Sequence, residues 1–339
     1  MKKKVLITGG AGFIGVNAAY HYLRKGWSVS VFDNLSRRGT RDNLAWLRRQ
    51  GDVDFRLGDL RSLAAVERWV RSNSRGLSMV LHLAAQVAVT TSVEDPLSDF
   101  DINALGSVHV LEALRRLRKR PFVLYASTNK VYGGMEGVRV RLSGGRYGYV
   151  GRPNGIPEGE PLDFHSPYGC SKGAADQYFR DYRRIYGMPT AVFRQSCIYG
   201  PHQHGNEDQG WVAHFMKAAQ AGKGITLYGD GLQVRDVLFV EDLVEAFDVA
   251  YRRRGRSAGR VYNIGGGPAN TLSLLELLDW IARKRGRRVP VKRRGWRPGD
   301  QRVYVSDVRK ARRELGWKPR TSVRRGLDRL WRWLESESA

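Results

Sequence analysis

Tyr168 and Lys172 stand four residues apart in Ser166-Pro167-Tyr168-Gly169-Cys170-Ser171-Lys172. A helical turn is about 3.6 residues, so on a helix the phenol and the amine emerge on one face. A free phenol ionises at about pH 10 and is a poor base near neutrality. A nearby ammonium, a bound cation and a helix N-terminus each favour the phenolate and bring it toward the working range. A pair of this kind moves protons. Ser166 is expected to cap the helix and Pro167 to be its first residue, which sets Tyr168 in the first turn. Thr128, far upstream, adds a hydroxyl that can hydrogen-bond a reacting oxygen. By itself a Tyr and a Lys at this spacing describe many ordinary helix faces.

The other end of the chain supplies what the pair lacks. Thr8-Gly9-Gly10-Ala11-Gly12-Phe13-Ile14-Gly15 follows the apolar run Lys4-Val5-Leu6-Ile7, which reads as a buried parallel strand feeding a helix that begins near Phe13. Lacking Cβ atoms, Gly9, Gly12 and Gly15 let the backbone turn, approach a pyrophosphate and pack helix on sheet, while Phe13 and Ile14 open a helix whose free N–H groups face the anion. A second apolar run, Val29-Ser30-Val31-Phe32, ends in Asp33, about 20 residues beyond the glycines, where a carboxylate accepts from the adenosine ribose. That carboxylate repels a 2′-phosphate, which points to NAD rather than NADP, with Arg37 and Arg38 close enough to temper the preference.

The elements that must position these groups continue the alternation. Val53–Leu57, Ser78–Leu83 and Phe122–Ala126 read as further strands separated by helical segments, giving an α/β fold with a doubly wound parallel sheet. In such sheets ligands sit beyond the carboxyl ends of the strands, where Gly58-Asp59-Leu60, Ala84-Ala85-Gln86 and Ser127-Thr128 fall. The expected organisation is a nucleotide-binding domain over 1–195, to which 237–264 returns through strand Val237–Val240, a helix after Glu241 and strand Arg260–Ile264. Residues 196–236 and 265–339 form a smaller lobe over the cleft. The glycine- and arginine-rich stretch 133–167 is long for a βα connection and is expected to pass over the substrate or to meet a second subunit.

These residues resemble the extended short-chain dehydrogenase/reductase family of nucleotide-sugar enzymes, a Rossmann-type fold, over essentially the whole chain. The motifs TGGAGFIG, Asp33, Asp59, HLAAQ at 82–86, STNKVYG at 127–133, YGCSK at 168–172 and YGDGLQVRD at 228–236 carry the likeness. Longer runs, 32–37, 162–178 and Asp208-Gln209-Gly210-Trp211-Val212, are similar to its branch of CDP-hexose 2-epimerases. The resemblance implies an isomerase in which Tyr168 is the base, Lys172 positions the nicotinamide ribose and Thr128 assists at the reacting oxygen. It implies cofactor contacts from Asn34, Ser36, Arg37, Asp59, Leu60, Leu83, Ala84, Ala85, Asn103 and Ser127. Substrate contacts are implied at Gln86, Asn129 and Cys197, with Arg235 and Arg302 on the pyrophosphate and Tyr228 beside the base. It further implies a homodimer or homotetramer. Dehydratases of the family carry an Asp-Glu pair after the active-site Thr; here Asn129 and Lys130 stand there, so elimination lacks its usual acid and base. Inversion at C4 is the competing reading, because spacing alone does not set which carbon meets the cofactor.

With 58 Lys and Arg against 33 Asp and Glu, the formal charge is +25. Positive potential draws anionic nucleotides, yet most of the charge lies in dispersed arginines such as those of 115–120 and 283–288. A non-catalytic relative that binds nucleic acid would leave the Thr-Tyr-Lys set without a use. Cys170 and Cys197 are the only cysteines and make no disulfide framework. No nearby Cys or acidic partner completes a convincing metal site around His202-Gln203-His204, which reads as a polar loop. No apolar run reaches the ~20 residues of a membrane span, and Met1-Lys2-Lys3-Lys4 leads directly into a strand; a cytoplasmic protein is expected.

Overall fold

Val5 and Ile7 point to one face of the first strand and Leu6 to the other, and all three are fully buried, so this strand lies inside a sheet covered on both sides. The computed structural model describes residues 2–297 and 300–338. Seven parallel strands, β1 (Lys4–Thr8), β2 (Ser28–Asp33), β3 (Asp54–Leu57), β4 (Leu77–His82), β5 (Phe122–Thr128), β6 (Thr190–Gln195) and β7 (Val261–Ile264), run in the order β7-β6-β5-β4-β1-β2-β3. The order reverses between β1 and β4, which opens a crevice at their carboxyl ends.

One face of the sheet packs Val5, Ile7, Val31, Leu81 and Leu124 against helices Phe13–Arg24 and Val240–Arg252. The other packs Leu6, Val80, Val123 and Tyr125 with helices Leu63–Ser72, Gly106–Arg115 and Ser166–Tyr186. The long helix Ser166–Tyr186 therefore rests against the sheet beside β5. Ser166 is the first residue of this helix, with His165 before it at the cap position; its φ of +63° is left-handed rather than extended, while its Oγ accepts from the Gly169 N–H at 3.2 Å as a capping hydroxyl would.

Two segments depart from the expected organisation. Strand Val234–Phe239 does not return to the main sheet: it pairs with Cys197–Tyr199, Thr271–Ser273 and Val303–Tyr304 in a second, smaller sheet, and Val240 begins a helix rather than ending a strand. That helix and β7 do join the larger body. Helix Arg309–Leu315, expected in the smaller lobe, also packs there, with Ala311, Leu315 and Trp317 in the cluster behind the glycine-loop helix and the Trp317 indole donating to Asp242 O at 3.0 Å. The smaller lobe keeps its own core between helices Trp211–Gln220, Leu274–Arg285 and Val323–Ser338. The 133–167 excursion forms a hairpin, Val140–Ser143 with Arg146–Tyr149, resting on the smaller sheet through Val234, Val303 and Val305. Among the described residues no helix is long and apolar enough to cross a membrane.

Candidate active site

The glycine turn is built by close approach. Gly9 has φ +66°, and a Cβ there would lie 2.7 Å from Ala84 Cα; at Gly15 it would lie 2.1 Å from Gly9 O. Both contacts exclude a side chain and bring the loop, β4 and the helix start together. Gly12 precedes helix Phe13–Arg24, which has neither a capping side chain nor an acid in its first turn, so Phe13 and Ile14 open onto an uncapped, positive helix end. Asp33 accepts from Leu35 N–H at 2.8 Å and Ala11 N–H at 3.1 Å. Burial pushes its carboxyl up while these N–H bonds pull it back. The residues fit a dinucleotide.

At the rim, the Arg61 guanidinium grips both oxygens of Asp59 and holds its carboxyl down at about 2. Asn34 Nδ2 donates to Asp59 at 2.9 Å and its Oδ1 accepts from Ser36 N–H at 3.1 Å. Leu60 is buried, its carbonyl accepting from His109 at 2.8 Å. Arg37 donates to Gln209 Oε1 at 2.8 Å and faces the cleft, within electrostatic reach of Tyr168 and Asp33.

Beneath the cleft, Thr8 Oγ1 lies 2.7 Å from His82 Nδ1, and His82 Nε2 lies 2.9 Å from Ser107 Oγ, which donates to Asn103 O at 2.5 Å. Only one arrangement satisfies the chain: Ser107 accepts from Nε2–H and Thr8 donates to Nδ1, leaving the Thr8 oxygen to accept from the N–H groups of Leu83 and Ala84 at 3.2 and 3.3 Å. Burial holds His82 neutral, down to about 3. Ala85 continues this loop, half-buried. Asn103, in a π-helical turn over Asp101–Leu105, accepts from Gln86 N–H at 2.9 Å and donates to Asp99 at 3.0 Å. It fixes the loop of Gln86. The Gln86 amide, expected to reach substrate, closes on the backbone of Ala88.

Thr128, Tyr168 and Lys172 come together at the end of β5, all buried. Tyr168 hydrogen-bonds Thr128, whose Oγ1 accepts from the Lys130 N–H at 3.2 Å. Burial pushes the Tyr168 phenol up to about 12, opposed by the Thr128 bond and reinforced by Asp99. This corrects the expectation that Lys172 lowers it. The Lys172 Nζ donates to Ala126 O at 2.7 Å and lies 4.3 Å from the Tyr125 ring centroid, and burial brings it down to about 7. Desolvation outweighs the charges that the protein itself supplies. Ser127 donates to Asp176 at 2.8 Å; Asp176 pairs with Arg194 at 2.9 Å, both out of contact with water. Asp99 and Arg194 escaped sequence reasoning, and His82 and Asp176, though inside the runs that carry the likeness, had no role there, since each acquires meaning only from a partner far along the chain.

Beyond Thr128 the cleft turns cationic. Asn129 Oδ1 accepts from Thr128 at 3.4 Å. Lys130 is brought down to about 8 by burial and by Arg235. Arg235 pairs with Asp300 at 3.2 Å, and Arg302, exposed, lies 5.5 Å from the Tyr147 ring centroid. Cys197 is a protonated thiol, its ionisation pushed up by burial. Tyr228 donates to Glu207 Oε1 at 2.8 Å, and Arg297 stacks over its ring at 3.9 Å. Sequence reasoning missed Glu207 and Arg297. No group of three metal-binding side chains occurs among the described residues.

The family model described as GDP-mannose 4,6 dehydratase matches residues 6–330. The CDP-paratose 2-epimerase of Salmonella typhi is 43% identical over 343 residues, covering 98% of this chain and 99% of that protein. The solved UDP-glucose 4-epimerase of Thermotoga maritima with UDP-glucose superposes with a TM-score of 0.85 at 30% identity, covering 99% of this chain and 100% of that one. The UDP-glucose 4-epimerase of Thermus thermophilus in complex with NAD gives 0.81 at 31% identity, covering 98% of this chain and 99% of that one.

Proposed function

The chain belongs to the GDP-mannose 4,6 dehydratase family of extended short-chain dehydrogenase/reductases and uses NAD, and on that premise we propose that it inverts C2 of a CDP-hexose, converting CDP-paratose to CDP-tyvelose. NAD, when bound along the Gly9–Gly15 turn, supplies a hydride acceptor that can return what it took. Tyr168 removes the proton from the sugar hydroxyl as the adjacent C–H is oxidised, and gives it back on reduction. Thr128 donates to the same oxygen. Lys172, anchored on Ala126 O, orients the nicotinamide ribose. Asp33 accepts from the adenosine ribose, and Arg235 and Arg302 face the substrate pyrophosphate.

One observation carries the reading: a buried Thr128–Tyr168 hydrogen bond with Lys172 one helical turn on and its Nζ on Ala126 O, two residues before Thr128, followed not by carboxylates but by Asn129 and Lys130. Oxidation and reduction are provided for, whereas elimination has no acid and base in those two positions. The likeness to the Salmonella typhi protein supports C2 and CDP. The likeness to UDP-glucose 4-epimerases favours C4 as the competing site. Substrate deuterated at C2 separates them. Under the proposal the label stays at C2 of the inverted sugar and D₂O adds none to carbon; solvent deuterium at C2 refutes oxidation there, and inversion confined to C4 refutes the choice of carbon. Exposed Leu97, Phe100 and Ile185, on helices Pro96–Phe100 and Ser166–Tyr186, support a homodimer or homotetramer.

A further inference from the structure

A nucleotide sugar runs from sugar through two phosphates and a ribose to its base, and the cleft changes character in the same order. Tyr168 and Thr128 are followed by the cations Lys130 and Arg235, with Lys130 within electrostatic reach of Arg235. Arg235 sits on strand Val234–Phe239, and Gln233, just before that strand, ties it to Tyr228 by donating to the Tyr228 carbonyl at 2.8 Å. The last station is Tyr228 with Glu207 and Arg297.

The hydrogen bonding at that station is directional. Tyr228 donates its only hydrogen to Glu207 at 2.8 Å, so its oxygen has only lone pairs left to offer. The Tyr228 hydroxyl, with help from Thr226 and Arg297, holds the Glu207 carboxyl below its ordinary range, so this side chain is acceptor-only as well. Arg297, donor-only, reaches the Glu207 carbonyl at 3.1 Å and Asp208 Oδ1 at 3.5 Å. Acceptors beside a donor fork complement a base edge that carries an amine next to ring acceptors. Cytosine has that edge, an N4 amine beside N3 and O2; uracil reverses it, with an O4 acceptor beside an N3–H donor.

We propose that Glu207, oriented by Tyr228 and flanked by Arg297, selects a cytosine nucleotide over a uracil nucleotide, an inference that rests on the CDP-hexose reading above. Uracil would set its O4 lone pairs against two acceptors. A matched base contact of this type discriminates by about 10- to 100-fold.

The test uses the purified, cofactor-loaded protein and the plain diphosphates CDP and UDP, titrated calorimetrically in one buffer. The wild-type protein binds CDP about 10- to 100-fold more tightly than UDP, and Glu207→Gln, whose amide can donate as well as accept, brings that ratio to within about threefold. Because the ratio is taken within one preparation, a partly unfolded variant does not distort it. A CDP preference that survives Glu207→Gln overturns the role of Glu207 and leaves the CDP-hexose reading standing. A wild-type protein that binds UDP as tightly as CDP overturns both.

Discussion

Replacing Tyr168 by Phe isolates the proton transfer, because the ring stays in its buried place and only one hydroxyl is lost. That hydroxyl bonds Thr128, which keeps its bond from Lys130 N–H, so the structural cost is about 1 kcal/mol and the variant folds. In the protein alone burial sets the phenol at about 12; a group with that value is ionised to about one part in 10⁴ at pH 8. A unit positive charge about 4 Å away, at an effective dielectric of ~20, contributes roughly 4 kcal/mol, or about three pKa units. A positive charge on a bound cofactor ring beside the phenol would lower it from about 12 by up to that much. Below the phenol's own value the base is protonated, so wild-type kcat rises with pH along a limb that lies below the value of about 12 set by burial alone. Tyr168→Phe loses both the limb and about 10²- to 10⁴-fold in kcat. The assay is product NMR under saturating substrate from about pH 6 to about pH 10. A variant within roughly threefold of the wild type, or one that keeps the rising limb, refutes Tyr168 as the base.

Denatured protein should release NAD(H), since the Asp33 carboxylate at the end of β2 would repel a 2′-phosphate; release of NADP(H) alone, with activity dependent on it, defeats that assignment. Gly15→Ala places a Cβ 2.1 Å from Gly9 O, and is expected to cost about 3 kcal/mol and to empty the protein of cofactor; an unchanged denaturation midpoint with full NAD(H) content would contradict it. His82 is neutral down to about 3 in the fold, whereas the unfolded imidazole takes up a proton below about 6.5. Unfolding therefore binds a proton in that window, and stability falls on acidification by up to about 1.4 kcal/mol per pH unit. His82→Gln should flatten the slope measured by urea unfolding between about pH 6.5 and about pH 4, and an unaltered slope would remove His82 as its source.

The first five strands were legible within a residue or two, four because a parallel strand buried on both faces is rich in apolar residues, as Val5, Leu6 and Ile7 show, and β3, a mostly exposed edge strand, by the alternation of Asp54-Phe55-Arg56-Leu57. The same signal misplaces Val234–Phe239. Its apolar run satisfies a strand in either sheet, and what assigns it to the smaller one is pairing with Cys197–Tyr199 and Val303–Tyr304, partners that periodicity does not name. Helix Arg309–Leu315 was placed by neighbourhood in sequence, yet Trp317 finds its pocket and its acceptor, Asp242 O, in the larger body.

Within the site, spacing revealed what lies on one turn of one helix, and failed where burial decides. Tyr168 and Lys172 share a face, as four-residue spacing requires, but their protonation follows from the closed environment around them: the phenol moves up and the amine down, each toward neutrality. In the same closed environment Asp176 and Arg194 are buried against each other at 2.9 Å. Removing either partner would strand a charge away from water, at about 3–5 kcal/mol. Asp176 also receives Ser127, and Ala126, its neighbour, receives Lys172. The end of β5 is thus fixed from beneath by an ion pair and from above by helix Ser166–Tyr186. Thr128, next along the strand, inherits that rigidity, so the hydroxyl proposed to meet the reacting oxygen is held by residues up to 66 positions away that no motif around it contains.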